Sequence, residues 1–421
     1  MSGGACSTSR LRRTPLEASP TQSAQREKAT CTLAKMAEGR GEQNGLVLVV
    51  PKAGSGVAEH FAHTFRLAEH VRHLTRTAVI VERLAGDQPR LDPSVEVHVQ
   101  QHADGGFLRR AWELTRLASR LRRRGFRSFF VRTSQTAAVP LILARRLFGG
   151  RVLYWNCGKA PKNRLRDVGL RAALTGEIPM RIAFRWADLV VTGTESLALH
   201  YSRTYGISMD RMAVLPNEID LAWFSPPTQE ERQEARAELR LAEDQALVLS
   251  VHRLSPVRRT LLYIPSVIEA VAELHPQARF LLAGGGPEEA DVRRAVTHAH
   301  LEDRVQMLGV VPHDHIRRLY SAADVFMMPS YTEGFPRVLL EAMAMAIPIA
   351  STDVGGVREI LPSGYRSRLA DRDRPLELAH AIDELLRDSG TAHELADEGR
   401  RWVRRFDAPL VARQLVALSG A

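Results

Sequence analysis

The sequence has few cysteines and no long apolar run. Three of its 421 residues are cysteines, and only Cys157 lies outside the polar first segment that holds Cys6 and Cys31. This pattern indicates neither a disulfide framework nor a metal-ligand spacing. No apolar stretch reaches the roughly 18 residues of a membrane-spanning helix, and the opening "MSGGACSTSRLRRTPLEASP" lacks the apolar core of a secretion signal. We therefore expect a cytoplasmic protein.

Lysine is also scarce, and the positive charge is unevenly distributed. Five of the 58 basic residues are lysines, and the formal net charge is +10. Residues 46–220 carry 27 basic and 15 acidic side chains, whereas residues 221–421 carry 24 and 29. Neither a nucleic-acid-binding motif nor an interleaved aromatic platform accompanies the arginines. A nucleic-acid partner is therefore not expected.

Strand-like and helix-like segments alternate along most of the chain. Residues 1–45 lack periodicity and predict a disordered tail, in which Met36 is an alternative start. Apolar runs such as "GLVLVV" and "FFVRT" alternate with helical stretches over 46–220, and the pattern resumes over 221–400. The proline-rich "VLPNEIDLAWFSPPTQEERQ" separates the two series. This organisation predicts an α/β fold of two doubly wound, Rossmann-like domains with a cleft between them.

Two glycines follow the opening strand, in "VVPKAGSGVAEHF". Ligands of doubly wound domains bind at the carboxyl ends of strands, beside helix N-termini, so Gly54 and Gly56 are candidate donor contacts. The alternative is an ordinary strand-to-helix turn. A dinucleotide fingerprint would require a third glycine where Glu59 stands, which weakens an oxidoreductase interpretation.

Two further glycine groups follow strands in the second half. In "LLAGGGPEEADVRR", Gly285 and Gly286 belong to a run of three, which predicts space for a nucleotide base or ribose. Capping of the next helix explains the proline and acidic residues after this run without a ligand. Gly355 and Gly356 open a helix after "PIAST", where backbone N–H groups would hold a phosphate.

Arginines follow another strand, in "SVHRLSPVRRT". Arg253 ends the strand and Arg258 lies in the loop behind it, at the predicted cleft. A forked guanidinium group matches a diphosphate well. The alternative is a pair of solvated surface arginines.

The segment "EGFPRVLLEAMAMAIPIAST" carries two carboxylates in an apolar context. Pro336 suits the first position of a helix, so Glu333 lies just before the helix and Glu341 about 7 Å along its axis. Because the helix has no polar face, we expect it to be buried, and an unpaired carboxylate there would cost several kcal/mol. Ribose hydroxyls would be suitable partners for Glu341. The alternative is an ion pair with an arginine such as Arg337.

Several motifs together resemble retaining glycosyltransferases of the GT-B fold, specifically family GT4. The family's E-x7-E segment, of the form EGFPxxxxEAMAxGxPV, reads here from Glu333 to Glu341. Similar motifs are "VLPNEIDLAWFSP", "VHRLSPVRRT", "LLAGGGPE", "LGVVPHDHIRRLYSAADVFMMPS" and "STDVGGVREIL". They cover roughly residues 214–361 and occur in the family's order.

The resemblance implies transfer of a hexose from an NDP-sugar donor, with retention and without a metal or other cofactor. Glu333 would contact the sugar hydroxyls, while Arg253 and Arg258 would neutralise the leaving diphosphate. The other implied donor contacts are Gly334, Phe335, Pro336 and the ribose-binding Glu341. The acceptor, of unknown kind, would bind to 46–220, and residues 401–421 would form a helix that crosses back to that domain.

Four residues depart from the family pattern. Arg258 replaces a lysine, and glycines are replaced at His252, Arg259 and Ala346. These changes keep open an alternative function, a non-catalytic nucleotide-sugar-binding protein with an interaction or regulatory role. The first half has Asn156 and Cys157 near a position where family members often carry a histidine, which leaves the acceptor site unassigned.

The stretch "FLRRAWELTRLASRLRRRGFRSFF", residues 107–130, indicates a basic amphipathic helix. Phe107, Leu108, Trp112, Leu117 and Leu121 can share an apolar face, and seven arginines crowd the remainder. This is the pattern of a helix attracted to anionic lipid, which would place the protein peripherally at the inner face of the membrane. The alternative is a core-packing helix with a solvated basic face.

Overall fold

The structure is a computed structural model that describes residues 44–54, 61–102, 105–158 and 176–421. The predicted tail with Met36 lies outside those residues, and so does Gly56. The described chain contains two large parallel sheets with helices on both faces, which confirms the predicted α/β fold. None of the described helices is long and apolar enough to cross a membrane.

The first sheet occupies the first half of the described chain. Its strands are β1 (Gly45–Val50), β3 (Thr77–Val81), β5 (Glu96–Val99), β6 (Phe126–Arg132), β7 (Arg151–Trp155), β8 (Leu189–Thr192) and β9 (Met212–Val214), and the short strands β2 (Ala53–Gly54) and β4 (Leu84–Ala85) pair separately. The order in the large sheet is β5-β3-β1-β6-β7-β8-β9. β1 lies near the middle and is buried along its whole length, as expected of a continuous apolar strand covered on both faces.

The helices of this half are α1 (Ala62–Val71), α2 (Phe107–Arg123), α3 (Gln135–Phe148), α4 (Ile178–Trp186) and α5 (Glu195–Tyr205). The last four pack on one face of the sheet and α1 packs on the other. Local sequence sets the limits of α5: the Thr194 hydroxyl accepts from the N–H of Leu197, and Gly206 ends the helix with a φ of 66°.

The second sheet has the order β12-β11-β10-β13-β14. Its strands are β10 (Leu247–Val251), β11 (Arg279–Ala283), β12 (Val305–Gly309), β13 (Val325–Met328) and β14 (Ile349–Ser351). The helices are α6 (Gln229–Glu238), α7 (Thr260–Leu274), α8 (Glu289–His298), α9 (His313–Ala322), α10 (Arg337–Ala344), α11 (Val357–Ile360), α12 (Pro375–Arg387), α13 (Ser389–Trp402) and α14 (Ala408–Ser419). All of these strands pair in parallel, so both sheets present the carboxyl ends of their strands to ligands.

The chain passes between the two halves twice, and the two crossings pair with each other. The N–H of Ile219 donates to the carbonyl of Phe406 at 2.9 Å, and the N–H of Ala408 donates to the carbonyl of Ile219 at 2.9 Å. After the second crossing, α14 packs against α1 and completes the core on that face of the first sheet. The Ser128 hydroxyl donates to the carbonyl of Ser419 at 2.8 Å, which ties the end of α14 to β6.

Candidate active site

The two halves meet where strand ends from both sheets come together. A Cβ added at Gly334 would lie 1.5 Å from the carbonyl oxygen of Cys157, and one at Gly356 would lie 2.4 Å from the Thr194 methyl group. Phe335 is buried, and its carbonyl accepts from the Asn217 side chain at 3.1 Å. The glycines therefore permit the segment after β13 and the turn before α11 to approach the first half closely.

A carboxylate of the second half caps a helix of the first. Glu359, on α11, accepts from the N–H of Glu195 at 2.7 Å and from the N–H of Ser196 at 3.0 Å. These N–H groups belong to the first turn of α5, where helix N–H groups lack partners within the helix and a negative charge is favoured. Glu359 was not predicted as a site residue, because nothing in "STDVGGVREIL" indicates a partner 164 residues earlier.

Glu333 and Arg258 form an ion pair beside this contact. The Arg258 Nε lies 2.8 Å from Glu333 Oε1, and the Ser330 hydroxyl donates to the same oxygen at 3.1 Å. The Arg258 side chain is 27% exposed and that of Glu333 is 9% exposed, so the pair is held at the edge of the interior. Arg253 is exposed at the end of β10. The structure thus brings two of the three predicted catalytic residues into direct contact.

Glu341 lies on α10 and is buried, as its apolar neighbours predict. The Tyr320 hydroxyl donates to Glu341 Oε2 at 2.8 Å. Burial raises the pKa of Glu341, while Arg337, the Tyr320 hydrogen bond and Arg66 act in the opposite direction. Arg337 itself pairs with Glu218 at 3.2 Å, and among the described residues no ion pair joins it to Glu341. The observed partner of the Glu341 carboxylate is therefore Tyr320, whereas ribose hydroxyls or Arg337 were the predicted partners.

The remaining predicted glycines lie against protein backbone or side chains. A Cβ at Gly54 would lie 1.7 Å from the Ala85 carbonyl oxygen, and one at Gly355 would lie 1.9 Å from that of Glu333. In the run of three, a Cβ added at Gly286 would lie 2.0 Å from the Leu254 carbonyl oxygen, and one at Gly285 would lie 2.8 Å from the Val310 side chain. Close packing of the chain on itself is enough to require these glycines. Their contact with a nucleotide stays a prediction.

Positions that depart from the family pattern carry local strain or unpaired atoms. Arg259 and Ala346 adopt φ values of 51° and 55°, in the left-handed region that glycine favours. The Arg259 guanidinium lies 3.7 Å from the centre of the Tyr331 ring. His252 is buried, and neither ring nitrogen has a hydrogen-bond partner among the described residues. Burial, assisted by the nearby Arg258, lowers the pKa of His252 to about 3, so the ring is neutral.

A second polar cluster lies at the carboxyl ends of β3 and β5. The Arg110 guanidinium pairs with buried Glu82 at 3.0 Å, and the Thr136 hydroxyl approaches the same oxygen at 3.4 Å. The Gln100 amide donates to the Arg110 carbonyl at 2.9 Å. Glu82 Oε1, Gln100 Oε1 and Arg110 Nε are buried without a partner among the described residues, and burial raises the pKa of Glu82.

This cluster was not predicted, since its members come from four separate segments. The nearby Thr133 adopts a φ of 58°, an unusual conformation for a β-branched residue. Thr133 lies between Arg132, which contacts Asn217 and Glu218, and Ser134, whose hydroxyl caps α3. The turn after β6 therefore connects the cluster to the contact between the two halves.

Cys157 follows β7 at the closest approach of the two halves. Burial raises the pKa of its thiol to about 12, so it is not an activated nucleophile. The Tyr201 hydroxyl donates to Asn156 Oδ1 at 3.2 Å, which gives Asn156 a structural contact. Among the described residues, no group of three or more His, Cys, Asp or Glu side chains could hold a metal ion.

The basic helix differs in detail from its prediction. α2 ends at Arg123, and residues 126–130 belong to β6. Its buried face consists of Leu114, Ala118, Leu121 and Arg122, whereas Phe107, Leu108 and Trp112 are exposed. The predicted common apolar face is therefore wrong: Leu121 packs inward while the three residues near the helix start face solvent.

The chain was compared with known families and structures. The family described as "Glycosyl transferases group 1" matches residues 231–402. The HepE protein of Anabaena in complex with UDP and glucose has a TM-score of 0.70 at 20% identity, covering 89% of this chain and 99% of that one. Sucrose-phosphate synthase from Thermosynechococcus elongatus has a TM-score of 0.71 at 21% identity, covering 89% and 98%. The fold is thus that of GT-B glycosyltransferases.

Curated relatives share only part of their length with this chain. The D-inositol 3-phosphate glycosyltransferase of Xylanimonas cellulosilytica is 32% identical over 228 residues, which are 52% of this chain and 54% of that protein. The gpi3 subunit of the phosphatidylinositol N-acetylglucosaminyltransferase of Schizosaccharomyces pombe is 31% identical over 200 residues, 46% and 41% of the two chains. The chain thus spans about half of such relatives or less. The resemblance to glycosyltransferases is confirmed: residues 231–402 match the model of glycosyl transferases group 1.

Proposed function

We propose that this protein transfers a hexose from an NDP-sugar to a hydroxyl acceptor, with retention of configuration and without a metal. UDP is the first nucleotide to consider, because the similar HepE structure contains UDP and glucose. The observation that carries the proposal is the ion pair of Arg258 with Glu333, held where the two halves meet. It places a carboxylate and a guanidinium group together on one side of the cleft.

In this proposal each charge has a separate role. Glu333 accepts hydrogen bonds from sugar hydroxyls, and Arg258, assisted by exposed Arg253, balances the negative charge that develops on the leaving diphosphate. The two guanidinium groups supply the positive charge that a divalent cation provides in other transferases. Glu341 receives the ribose hydroxyls beside Tyr320. The acceptor hydroxyl attacks the anomeric carbon from the side of the leaving diphosphate, within an oxocarbenium-like ion pair, so configuration is retained. The bond from the anomeric carbon to the diphosphate breaks, and a diphosphate oxygen takes the proton of the acceptor hydroxyl.

The acceptor binds to the first half, at the cluster of Glu82, Gln100 and Arg110. Their unpaired oxygens and N–H suit a ligand rich in hydroxyl groups. The two relatives above are named for inositol 3-phosphate and phosphatidylinositol, both of which carry a ring of hydroxyls. We therefore propose a polyol acceptor, with a lipid-linked inositol as the first candidate. The Glu359 cap on α5 holds the two halves together during transfer.

A surface of α2, α3 and α4, here called the arginine face, positions the protein on a membrane. The only acidic residue within the three helices is Glu113, which accepts from the N–H groups of Gln101 and His102. The exposed arginines within them are Arg109, Arg116, Arg120, Arg123, Arg146, Arg181 and Arg185. The large exposed apolar side chains are Phe107, Leu108, Trp112, Leu143, Leu147, Phe148, Ile178 and Trp186. Glu177, just before α4, pairs with Arg181, and the remaining cations and apolar groups of the face fit an anionic lipid surface. We therefore place the protein peripherally at the inner face of the membrane.

The donor is tested by thermal shift against UDP, GDP, ADP and TDP, and against their hexose conjugates. A nucleotide that binds the folded state should stabilise it by about 2.7 kcal/mol at 100 times its dissociation constant. Glu341→Ala should abolish the shift, whereas Glu273→Ala, an exposed glutamate on α7, should retain it. No shift with any nucleotide, in a protein shown to be folded, would refute the donor assignment.

Turnover separates the enzyme from the alternative, a non-catalytic nucleotide-sugar-binding protein. The replacement of a lysine by Arg258 is the observation that favours the alternative. Slow hydrolysis of the bound UDP-sugar by water, lost in Glu333→Gln, would support catalysis. Tight binding with no release of UDP, even with phosphatidylinositol vesicles present, would favour the alternative.

A further inference from the structure

Arg122, near the end of α2, is a buried cation whose side-chain N–H groups lack a hydrogen-bond partner in the part of the chain that the structure describes. The residue is 8% exposed, and its Nε, Nη1 and Nη2 atoms have no hydrogen-bond partner among the described residues. Its guanidinium carbon lies 5.0 Å from the centre of the Phe129 ring, which supports one face of the group. Buried charges are normally paired, because removing an isolated charge from water is unfavourable. The orphaned N–H groups therefore indicate a place for an anion.

The nearest acidic residue does not fill that place. Asp188 binds Arg145 through one carboxylate oxygen and accepts from the N–H of Val152 at 2.8 Å through the other. Burial lowers the pKa of Arg122 to about 10, and the positive charge of Arg145 acts in the same direction. Asp188 only partly opposes these effects. The surroundings of Arg122 are therefore positively charged and suit a further negative group.

Gly150, in the turn after α3, lies over the guanidinium group. Gly149 and Gly150 join α3 to β7, are exposed, and adopt φ values of 74° and 91°. A Cβ added at Gly150 would lie 3.1 Å from Arg122 Nε and 2.6 Å from the Arg127 carbonyl oxygen. Because Gly150 has no side chain, its backbone packs directly against the guanidinium group of Arg122. A turn without side chains is a cover that a ligand can displace at small steric cost.

We propose that Arg122 binds the phosphate group of an anionic membrane lipid once the Gly149–Gly150 turn moves aside. The forked guanidinium group presents parallel N–H donors that match two phosphate oxygens. Leu147 and Phe148, which directly precede the turn, are 73% and 52% exposed and would enter the boundary of the acyl chains. This site deepens the membrane part of the proposed function and rests on it. It is separate from the nucleotide-sugar cleft.

The first test compares the vesicle affinities of variants at two consecutive arginines of α2, Arg122 and Arg123. Binding of the full chain is measured with phosphatidylcholine vesicles that contain phosphatidylglycerol, and with pure phosphatidylcholine as the uncharged reference. Loss of one general surface charge should weaken binding about five-fold, so Arg123→Met should show that effect. Arg122→Met should weaken binding more than about twenty-fold, because it also removes paired hydrogen bonds to a charged group. Equal losses in the two variants would overturn the headgroup site.

The melting temperature of the Arg122→Met variant is a second test, because a purely structural role of Arg122 predicts a lower melting temperature and a headgroup site does not. Arg122→Met keeps a long side chain over Phe129 and removes an unpaired charge, so the melting temperature should not fall. A clear fall in melting temperature with unchanged vesicle affinity would assign Arg122 to structure alone.

The Nε–H resonance of Arg122, followed by NMR in the unmodified protein, reports on the site without any risk of misfolding. Glycerophosphoglycerol, the soluble phosphodiester headgroup, should shift this resonance. A response to inorganic phosphate but not to the phosphodiester would overturn the lipid assignment in favour of a free anion. No response to either would overturn the anion site itself. Failure of the donor assignment can be distinguished from failure of the lipid site, because the protein would then not bind UDP but would still bind the vesicles.

Discussion

The two halves of the molecule share one architecture but differ in charge and in how their polar groups come together. In the second half the two candidate donor carboxylates lie close in sequence, since Glu333 and Glu341 flank the start of one helix, although Arg258, which pairs with Glu333, comes from 75 residues earlier. In the first half Glu82, Gln100 and Arg110 come from three different segments of a region with 27 basic and 15 acidic residues. In the proposed function, the fold therefore serves the donor largely through a local motif, and the acceptor through residues assembled from distant segments and through net charge. The following tests perturb one half at a time.

The largest effect is expected at the donor side, for Glu333→Gln. The substitution removes the charge that pairs with Arg258 and contacts the sugar, so UDP-sugar turnover should fall about 100-fold or more. UDP affinity should change little, because the nucleotide contacts remain. Release of UDP, measured at saturating donor, checks the prediction against Glu273→Gln. Unchanged turnover would remove Glu333 from the chemistry.

The corresponding change in the first half is Glu82→Gln. An amide in place of the carboxylate keeps the shape but alters the hydrogen bonds offered to the acceptor, so the acceptor KM should rise about ten-fold or more. Hydrolysis of the donor by water should be unaffected. Glu113→Gln, on the arginine face, is the matched control. If the substitution slows donor hydrolysis to the same extent as transfer, the cluster is not an acceptor site.

The third test separates the halves by removing the helix cap, in Glu359→Gln. Charge-assisted hydrogen bonds contribute about 1.5–3 kcal/mol each, so weakening two of them should favour an open arrangement and lower kcat/KM about ten-fold. Small-angle scattering should show a larger radius of gyration. Glu195→Gln, at the same helix end, should show neither effect. A scattering profile identical to that of the unmodified protein would contradict a role in closure.

A fourth test uses pH and concerns the second half. The pKa of buried His252 is lowered to about 3, so only the unfolded state takes up this proton as the pH falls below about 6.5. Stability should therefore decrease by about 2 kcal/mol between pH 7 and pH 5 because of this residue. His252→Gln should reduce the pH dependence, while substitution of exposed His315 should not. Denaturant unfolding at both pH values measures the difference.

The smallest effect is expected for Ala346→Gly. Ala346 has a φ of 55°, where a Cβ costs roughly 1 kcal/mol, so glycine should stabilise the protein by about that amount. Ala344→Gly, at the end of α10, should instead destabilise it by about 1 kcal/mol. Shifts in melting temperature of opposite sign would confirm the backbone explanation. A loss of stability in both variants would contradict it.

Prediction from sequence succeeded where periodicity and local spacing carry the information. The alternation of apolar strands and helices predicted two parallel sheets, and the apolar context of Glu341 predicted its burial. Its contact with Tyr320 was not predicted, because that residue comes from a different helix. The exposed start of α2 was also missed. Leu121 and Trp112 are nine residues apart, which at 3.6 residues per turn places them on opposite sides of the helix, so they cannot share the predicted apolar face.

The remaining site residues were not predicted because their contacts join segments that are far apart in sequence. The Glu359 cap and the Glu82 cluster each require knowledge of which strand ends are neighbours in space. The unpaired Arg122 was counted among the surface arginines, because neither its burial nor the glycine turn above it is visible in the spacing of residues.

The position of α14 has a consequence for how the protein is made. Leu46 and Leu48 of β1 belong to a core that Val411, Ala412 and Leu415 of α14 complete. A ribosome releases the strands of the first sheet long before this helix, so the part of that face that α1 does not cover stays exposed throughout synthesis of the second half. The first half therefore reaches its final core only after nearly all of the chain has emerged, and a chaperone that shields β1 during translation would protect the step most exposed to aggregation.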